Sequence, residues 1–255
     1  MKDSPERIGT PAWVQRAGGR LSPAESRSLV LPVVRLHALN AVGRLSMLAH
    51  VSAGRRARVS VDQLLPPSST LTRAAEAEAR RRLTPALLNH SHRTYLFGAA
   101  LAVIEGVRVD HELLFAASLL HDVGLPSTTH DVDFTLASSR VARDVAEEVG
   151  LSSTATDKLQ GAITLHTNPD VTLTDGPEAY LLAAGAGVDV AGLRSWRLPP
   201  DLLAHAVDQH PRLDAKRVFA EVFRTEARQV PRGRVDFLRR YAAFDLAVRW
   251  APFSS

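Results

Sequence analysis

Apolar residues recur along most of the chain at intervals of three and four, and the strict alternation of a half-buried strand is nearly absent. Behind a Thr84-Pro85 start, Leu87, His90, Thr94, Phe97, Leu101 and Ile104 fall on one helical stripe, so His90 points inward. A second helix is predicted from about Asp110 through ELLFAASLLHD; Gly124 and Pro126 stop it, which places His121 and Asp122 in its last turn. Asp133 heads a helix with Phe134, Val141 and Val145 on one side and Gly150 as its stop. The next runs from about Ser153 to just before Asn168-Pro169, and Leu159, Ile163 and His166 share its i, i+4, i+7 face. Residues 177–192 form a small-residue apolar helix containing Asp189. Further helices are expected from Pro200, from Asp214 with Val218, Phe219, Val222 and Phe223 inward, and from Arg234 with Phe237, Tyr241, Phe244 and Val248. Near the front, Ser22 to about Ser52 favours helix but contains Pro32 and Gly43, which predicts two pieces. Arg55 to Thr70 reads as a connector, with Thr70 or Thr72 capping the helix after it. The pattern is that of an all-α protein of about ten helices.

Composition narrows the chemistry. At 255 residues the chain suits one sizeable domain, or a domain with an ordered extension. It has no cysteine, so disulfides, thiolate nucleophiles and cysteine-bound zinc are excluded, and a metal site must use His, Asp or Glu. The N-terminus is polar and the longest apolar stretch, Tyr95 to Ile104, is about half a membrane span, which leads to the expectation of a cytoplasmic protein without a membrane partner. The net charge is +4, and in the basic run at 80–82 the pairs Glu76/Arg80 and Glu78/Arg82 sit at i,i+4 spacing. With 5% aromatics, that run reads as a self-paired solvated face, and no nucleic-acid partner is expected.

Two His-Asp dipeptides differ in context. His130-Asp131 lies in a polar connection whose residues are explained by solvation and by the cap at Asp133. His121-Asp122 ends a run with almost no polar atoms, and Asp189 is an acid inside LLAAGAGVDVAG. Burying an unpaired carboxylate costs several kcal/mol, so each needs a cation or strong hydrogen bonds. One shared divalent ion held by His90, His121, Asp122 and Asp189 would satisfy all four groups, as a mixed N/O site suited to zinc, iron or manganese. The alternatives are that His90 is a hydrogen-bonded core histidine and that a buried arginine such as Arg93 satisfies Asp189.

Asn89-His90-Ser91-His92-Arg93-Thr94-Tyr95, then Leu119-Leu120-His121-Asp122-Val123-Gly124-Leu125, then Asp189, resemble the HD-domain metal-dependent hydrolase superfamily, with its ordered H…HD…D pattern. The form of the first motif is similar to the cyanamide hydratase-like branch, although the segment after Leu125 departs from that branch's Gly-Ala-rich stretch. The resemblance covers roughly residues 61–250 and implies an HD-domain helical bundle, residues 61–255, with residues 1–60 as an N-terminal helical extension packed on it. It implies one divalent metal ion, zinc foremost, on His90, His121, Asp122 and Asp189. Asp122 and His166 would then be catalytic, and Asn89 and Arg93 would bind substrate.

Three functions compete. A metal-activated water could attack carbon in a small molecule, as in hydration of a cyanamide or nitrile-like group, since a bound ion lowers the pKa of water from 15.7 toward about 7. The same site could attack phosphorus in nucleotides or phosphomonoesters, which requires cationic groups to hold the phosphate; Arg93 is the nearby candidate. A catalytically silent sensor or scaffold is the third, and the presence of all four ligand-type residues weighs against it.

Overall fold

The computed structural model describes residues 6–125 and 132–253. The His130-Asp131 dipeptide lies outside the described residues. Among the described residues twelve α-helices follow one another: α1 (Pro11–Ala17), α2 (Pro23–Leu48), α3 (Thr70–Arg82), α4 (Pro85–Glu105), α5 (His111–Leu120), α6 (Phe134–Glu148), α7 (Ser153–Leu165), α8 (Pro177–Ala191), α9 (Pro200–Gln209), α10 (Ala215–Gln229), α11 (Arg234–Tyr241) and α12 (Phe244–Arg249). Among the described residues there is no strand, only an isolated antiparallel bridge between Arg20 and Gly233. The fold is an all-α bundle with extra N-terminal helices. No described helix is long and apolar enough to cross a membrane.

The bundle is built around α4, whose Leu87, Tyr95, Phe97 and Leu101 are buried together with Leu113, Leu114 and Leu119 of α5 and Leu181, Leu182 and Val188 of α8. Two glycines let α4 and α8 come together. A Cβ on Gly185 of α8 would stand 2.2 Å from the Thr94 carbonyl oxygen, and one on Gly98 of α4 would stand 2.8 Å from that of Leu181. Backbone therefore packs on backbone at this seam, and that approach brings residues on α4 within hydrogen-bonding reach of α8. The basic end of α3 is self-paired as the spacing predicts: Arg80 meets Glu76 at 2.5 Å and Arg82 meets Glu78.

α1 and α2 pack on the bundle through a second apolar cluster, in which Trp13, Val14, Leu21, Leu29 and Val33 meet Leu136 of α6 with Phe237 and Ala242 near α11. A buried ion pair supports this junction. Arg234, at the start of α11, donates to both oxygens of Asp133, the N-cap of α6, at 3.0 and 2.9 Å, and also to the Thr164 carbonyl near the end of α7. One guanidinium thus ties α6, α7 and α11 together two residues before His166.

The structure departs from the sequence reading in several places. α2 is one helix of 26 residues, not two. Proline removes one backbone donor, but Leu29 and Val33 on either side of Pro32 are anchored in the second cluster, and a Ser22/Glu25 capping box starts the helix. Gly43 breaks nothing; it is glycine because the Trp196 ring lies 2.0 Å from where its Cβ would be. The cap of α3 is Ser69, with Thr72 as its reciprocal partner, and the connector before it holds 3₁₀ turns at Ala53–Arg55 and Val61–Leu64. The helix expected from Arg234 through Val248 is split at Ala242–Ala243, where Ala243 adopts φ +46°, and Tyr241 is turned outward.

A Gly185→Ala substitution should lower stability by about 1–3 kcal/mol, because the added methyl must separate α4 from α8. Denaturant titration checks this. Gly161, with open space around its Cβ position, should accept alanine without loss.

Candidate metal centre

Four ionisable side chains from three elements meet at the inner end of α4. His90 is buried on α4. α5 ends at Leu120, and the turn after it carries His121 and Asp122, also buried. That turn is pinned: Gly124 N–H donates to Ser138 Oγ of α6 at 2.9 Å, and a Cβ on Gly124 would lie 2.4 Å from the Phe134 carbonyl oxygen. His166 caps the C-terminal end of α7 and sets its ring edge-on against His121, centroids 4.8 Å apart.

The nitrogens facing one another are the Nε2 atoms. His90 Nε2 lies 3.1 Å from His121 Nε2, and Asp122 Oδ2 is 3.6 Å from the first and 3.4 Å from the second. His166 Nε2 lies 3.7 Å from Asp122 Oδ1. Ligand atoms of His90, His121 and Asp122 all fall within 4.8 Å of one another.

The hydrogen bonds at the far side of each ring fix which nitrogen carries the proton. His121 Nδ1 donates to the Ser118 carbonyl at 2.7 Å, His166 Nδ1 to the Ile163 carbonyl at 2.7 Å, and His90 Nδ1 to Asp189 Oδ2 at 2.7 Å. Carbonyl and carboxylate oxygens only accept, so Nδ1 holds the hydrogen and each neutral ring presents a bare lone pair at Nε2. The rings of His121 and His166 are held neutral. Burial depresses the pKa of His121, against the opposing pull of Asp122. Burial, reinforced by His121, depresses that of His166 well below its ordinary value. Asp122 Oδ1 is buried and takes part in no hydrogen bond. Three lone pairs and a carboxylate therefore converge with almost nothing among the described residues to donate to them: there the Thr94 hydroxyl, 3.4 Å from His90 Nε2, is the one donor at hand. A divalent cation fits that deficit, and the ligand types suit a borderline transition metal.

Asp189 sits on the opposite edge of the His90 ring from the other two carboxyl and imidazole groups. Arg93 donates to it through Nε at 2.7 Å and Nη2 at 2.8 Å, and Arg212 through Nη1 at 2.6 Å. Burial alone would raise this carboxyl's pKa; the Arg93 and His90 hydrogen bonds and the charges of Arg93 and Arg212 outweigh it and hold the group far below the usual carboxylate range. Asp189 is thus a permanent anion that orients His90. The buried-arginine alternative for its charge is realised twice, by Arg93 and by Arg212. Arg212 is buried although nothing in the sequence singles it out.

Of the other residues singled out, Asn89 turns away from the cluster and donates to the Pro211 carbonyl at 2.8 Å. Arg93 is buried, and besides Asp189 it holds the His210 carbonyl at 2.6 Å. Both secure the segment that delivers Arg212, and neither lines the cavity that opens from the cluster. That cavity has a volume of about 160 Å³ and is walled by Ala183, Gly187 and Val190 of α8, Phe219 and Phe223 of α10, and Val33 and Leu36 of α2. The part played by α2 was not visible in the sequence, because its inward positions carry ordinary apolar residues.

Loaded with zinc or manganese, the protein should hold one ion per chain by mass spectrometry of metals, and Asp122→Ala should empty the site. Asp189→Asn should keep the one-to-one ratio with affinity about 10–100-fold weaker, the effect of loosening a ligand's hydrogen-bond partner. An Asp189→Asn variant that folds and is as empty as Asp122→Ala would make Asp189 a ligand in the loaded protein.

Two comparisons bear on this arrangement. The chain matches no curated protein. A model of the HD domain matches residues 87–216, which include His90, His121, Asp122, His166 and Asp189. That match spans half of the chain and every element that contributes to the cluster, and the chain belongs to the HD-domain family.

Proposed function

We propose that this chain is a metal-dependent hydrolase or hydratase acting on carbon in a small, uncharged and largely apolar molecule, a nitrile or cyanamide-like group being the chemistry that suits it best. The observation that carries this reading is the cavity wall. Alanine, glycine, valine, leucine and phenylalanine side chains dominate it, and among the described residues its one guanidinium, Arg194, is engaged with the Tyr180 hydroxyl at 2.6 Å. Arg93 and Arg212, which lie behind His90, are committed to Asp189. A phosphate would enter an apolar wall without the cationic clamp that such chemistry needs, whereas a neutral apolar substrate loses little on entry.

A divalent ion on His90, His121 and Asp122 supplies water of lowered pKa and an electropositive centre when bound. The residues supply the rest. Asp122 Oδ1, without a hydrogen-bond partner, is placed to accept the proton of an attacking water. His166, neutral with its hydrogen at Nδ1, holds a bare Nε2 3.7 Å from that oxygen. It can therefore take the proton and pass it to the substrate nitrogen. In a nitrile-type hydration the water oxygen bonds to carbon, the carbon–nitrogen π bond breaks, and the nitrogen collects the relayed proton. Phe219 and Phe223 line the path and make it apolar.

Metal-loaded protein assayed on cyanamide and small aliphatic nitriles against a panel of nucleotides and aryl phosphates should release amide or urea products and no phosphate. Phosphate release without hydration would reverse the reading. His166→Ala should lower kcat by about 10²–10⁴-fold with metal content unchanged; undiminished turnover would remove His166 from the relay.

A further inference from the structure

α2 is apolar on both sides. Leu29, Val33, Asn40 and Gly43 face the protein and are buried. A helix lying on a protein surface ordinarily shows a polar outer face. The outer side of α2 instead shows Leu31, Val34, Ala38, Ala41, Leu45 and Leu48, all exposed, the leucines and the valine from 54% at Leu31 to 77% at Leu48. Their spacing runs three, four, three, four, three, the seam of a helix that packs knobs into holes against another helix. Leu39 and Val42 widen the stripe and are exposed as well.

We propose that this seam pairs, antiparallel across a two-fold axis, with α2 of a second copy of this chain. Three observations select that occupant. The seam is complementary to itself: turned end for end about a point between Leu39 and Asn40, Leu31 meets Leu48, Val34 meets Leu45, and Ala38 meets Ala41. Large side chains fill the outer layers and small ones the crossing point, as close approach of two identical helices about a two-fold requires. Second, the exposed Leu and Val side chains from Val30 to Val51 present on the order of 800 Å², the share one partner contributes to a standard interface. Third, the stripe suits protein better than lipid. It carries no Trp, Tyr, Phe or Lys, and of its two arginines Arg44 is turned inward onto the Ala191 carbonyl at 2.7 Å, which leaves Arg35. The opposite side of α2 supplies Val33, Leu36 and His37 to the cavity, so pairing steadies one wall of each site without placing any residue in the partner's.

The pairing is independent of the metal chemistry and is tested on the full chain by sedimentation equilibrium at about 10 μM. The wild-type chain should weigh twice its 27.7 kDa. Leu45→Glu should yield a monomer with unchanged far-UV circular dichroism, since the side chain is exposed in the single chain. Adding Val34→Lys to Leu45→Glu should restore the dimer, because opposite charges then face each other across the antiparallel seam. A monomeric wild-type chain, or a Leu45→Glu variant that remains dimeric, overturns the proposal, and a double variant that stays monomeric overturns the antiparallel register. Flotation of the wild-type chain with phosphatidylglycerol–phosphatidylcholine vesicles, lost on Leu45→Glu, assigns the stripe to a bilayer and overturns it too.

Discussion

The structure turns on a shortage of hydrogen-bond donors. His90, His121 and His166 each spend the Nδ1 hydrogen on an oxygen behind the ring, so three Nε2 lone pairs and the Asp122 carboxylate face one another in a buried space. Neutral imidazoles tolerate such an arrangement only at the cost of unsatisfied polar atoms, and protonation of His121 and His166 is opposed by burial. A positive ion resolves the conflict in one step. The surrounding fold reads as the apparatus that holds this shortage in place: the Gly98/Gly185 seam brings α8 against α4, the Gly124 turn holds His121 and Asp122, and the Arg234 pair fixes the end of α7.

Charge distribution follows from the same constraint. Asp189 accepts from His90 Nδ1 and, in its buried site, is paired with two guanidiniums, Arg93 and Arg212. Those cations are then unavailable to substrate. The cavity that opens from the cluster is left with largely apolar walls, and the proposed preference for an uncharged substrate rests on that feature. The elements serving electrostatics and those serving selectivity are in this way segregated on opposite sides of one imidazole ring.

Much of this was legible in the sequence, and the reasons differ by element. The stripes of α4, α6 and α7 match the helix positions closely because the Thr84-Pro85 start, the Asp133 cap with its Gly150 stop, and Asn168-Pro169 bound them, and His121-Asp122 stood out because a run of apolar residues led into it. Where tertiary packing overrode local propensity the reading failed: Pro32 and Gly43 look like breaks but are held inside α2 by Leu29, Val33 and Trp196, and the split at Ala243 carries no breaker residue at all. Spacing alone placed His90, His121, Asp122 and Asp189 on inward faces without distinguishing which edge of a ring each would meet. That distinction depends on side-chain geometry around His90, and so does the use made of Arg93. Arg212 is of a type that carries no signal of burial, and the apolar Val33 and Leu36 of α2 signal burial without saying which part of the molecule they meet.

The central claim is that one ion binds on the Nε2 side of this cluster. The most direct measurement is anomalous diffraction from a crystal of the zinc-loaded protein. A single peak within bonding distance of His90 Nε2, His121 Nε2 and an Asp122 carboxylate oxygen is the result expected. A peak on Nδ1 atoms or at another place, or a fully loaded protein whose cluster stays dark, would contradict the account.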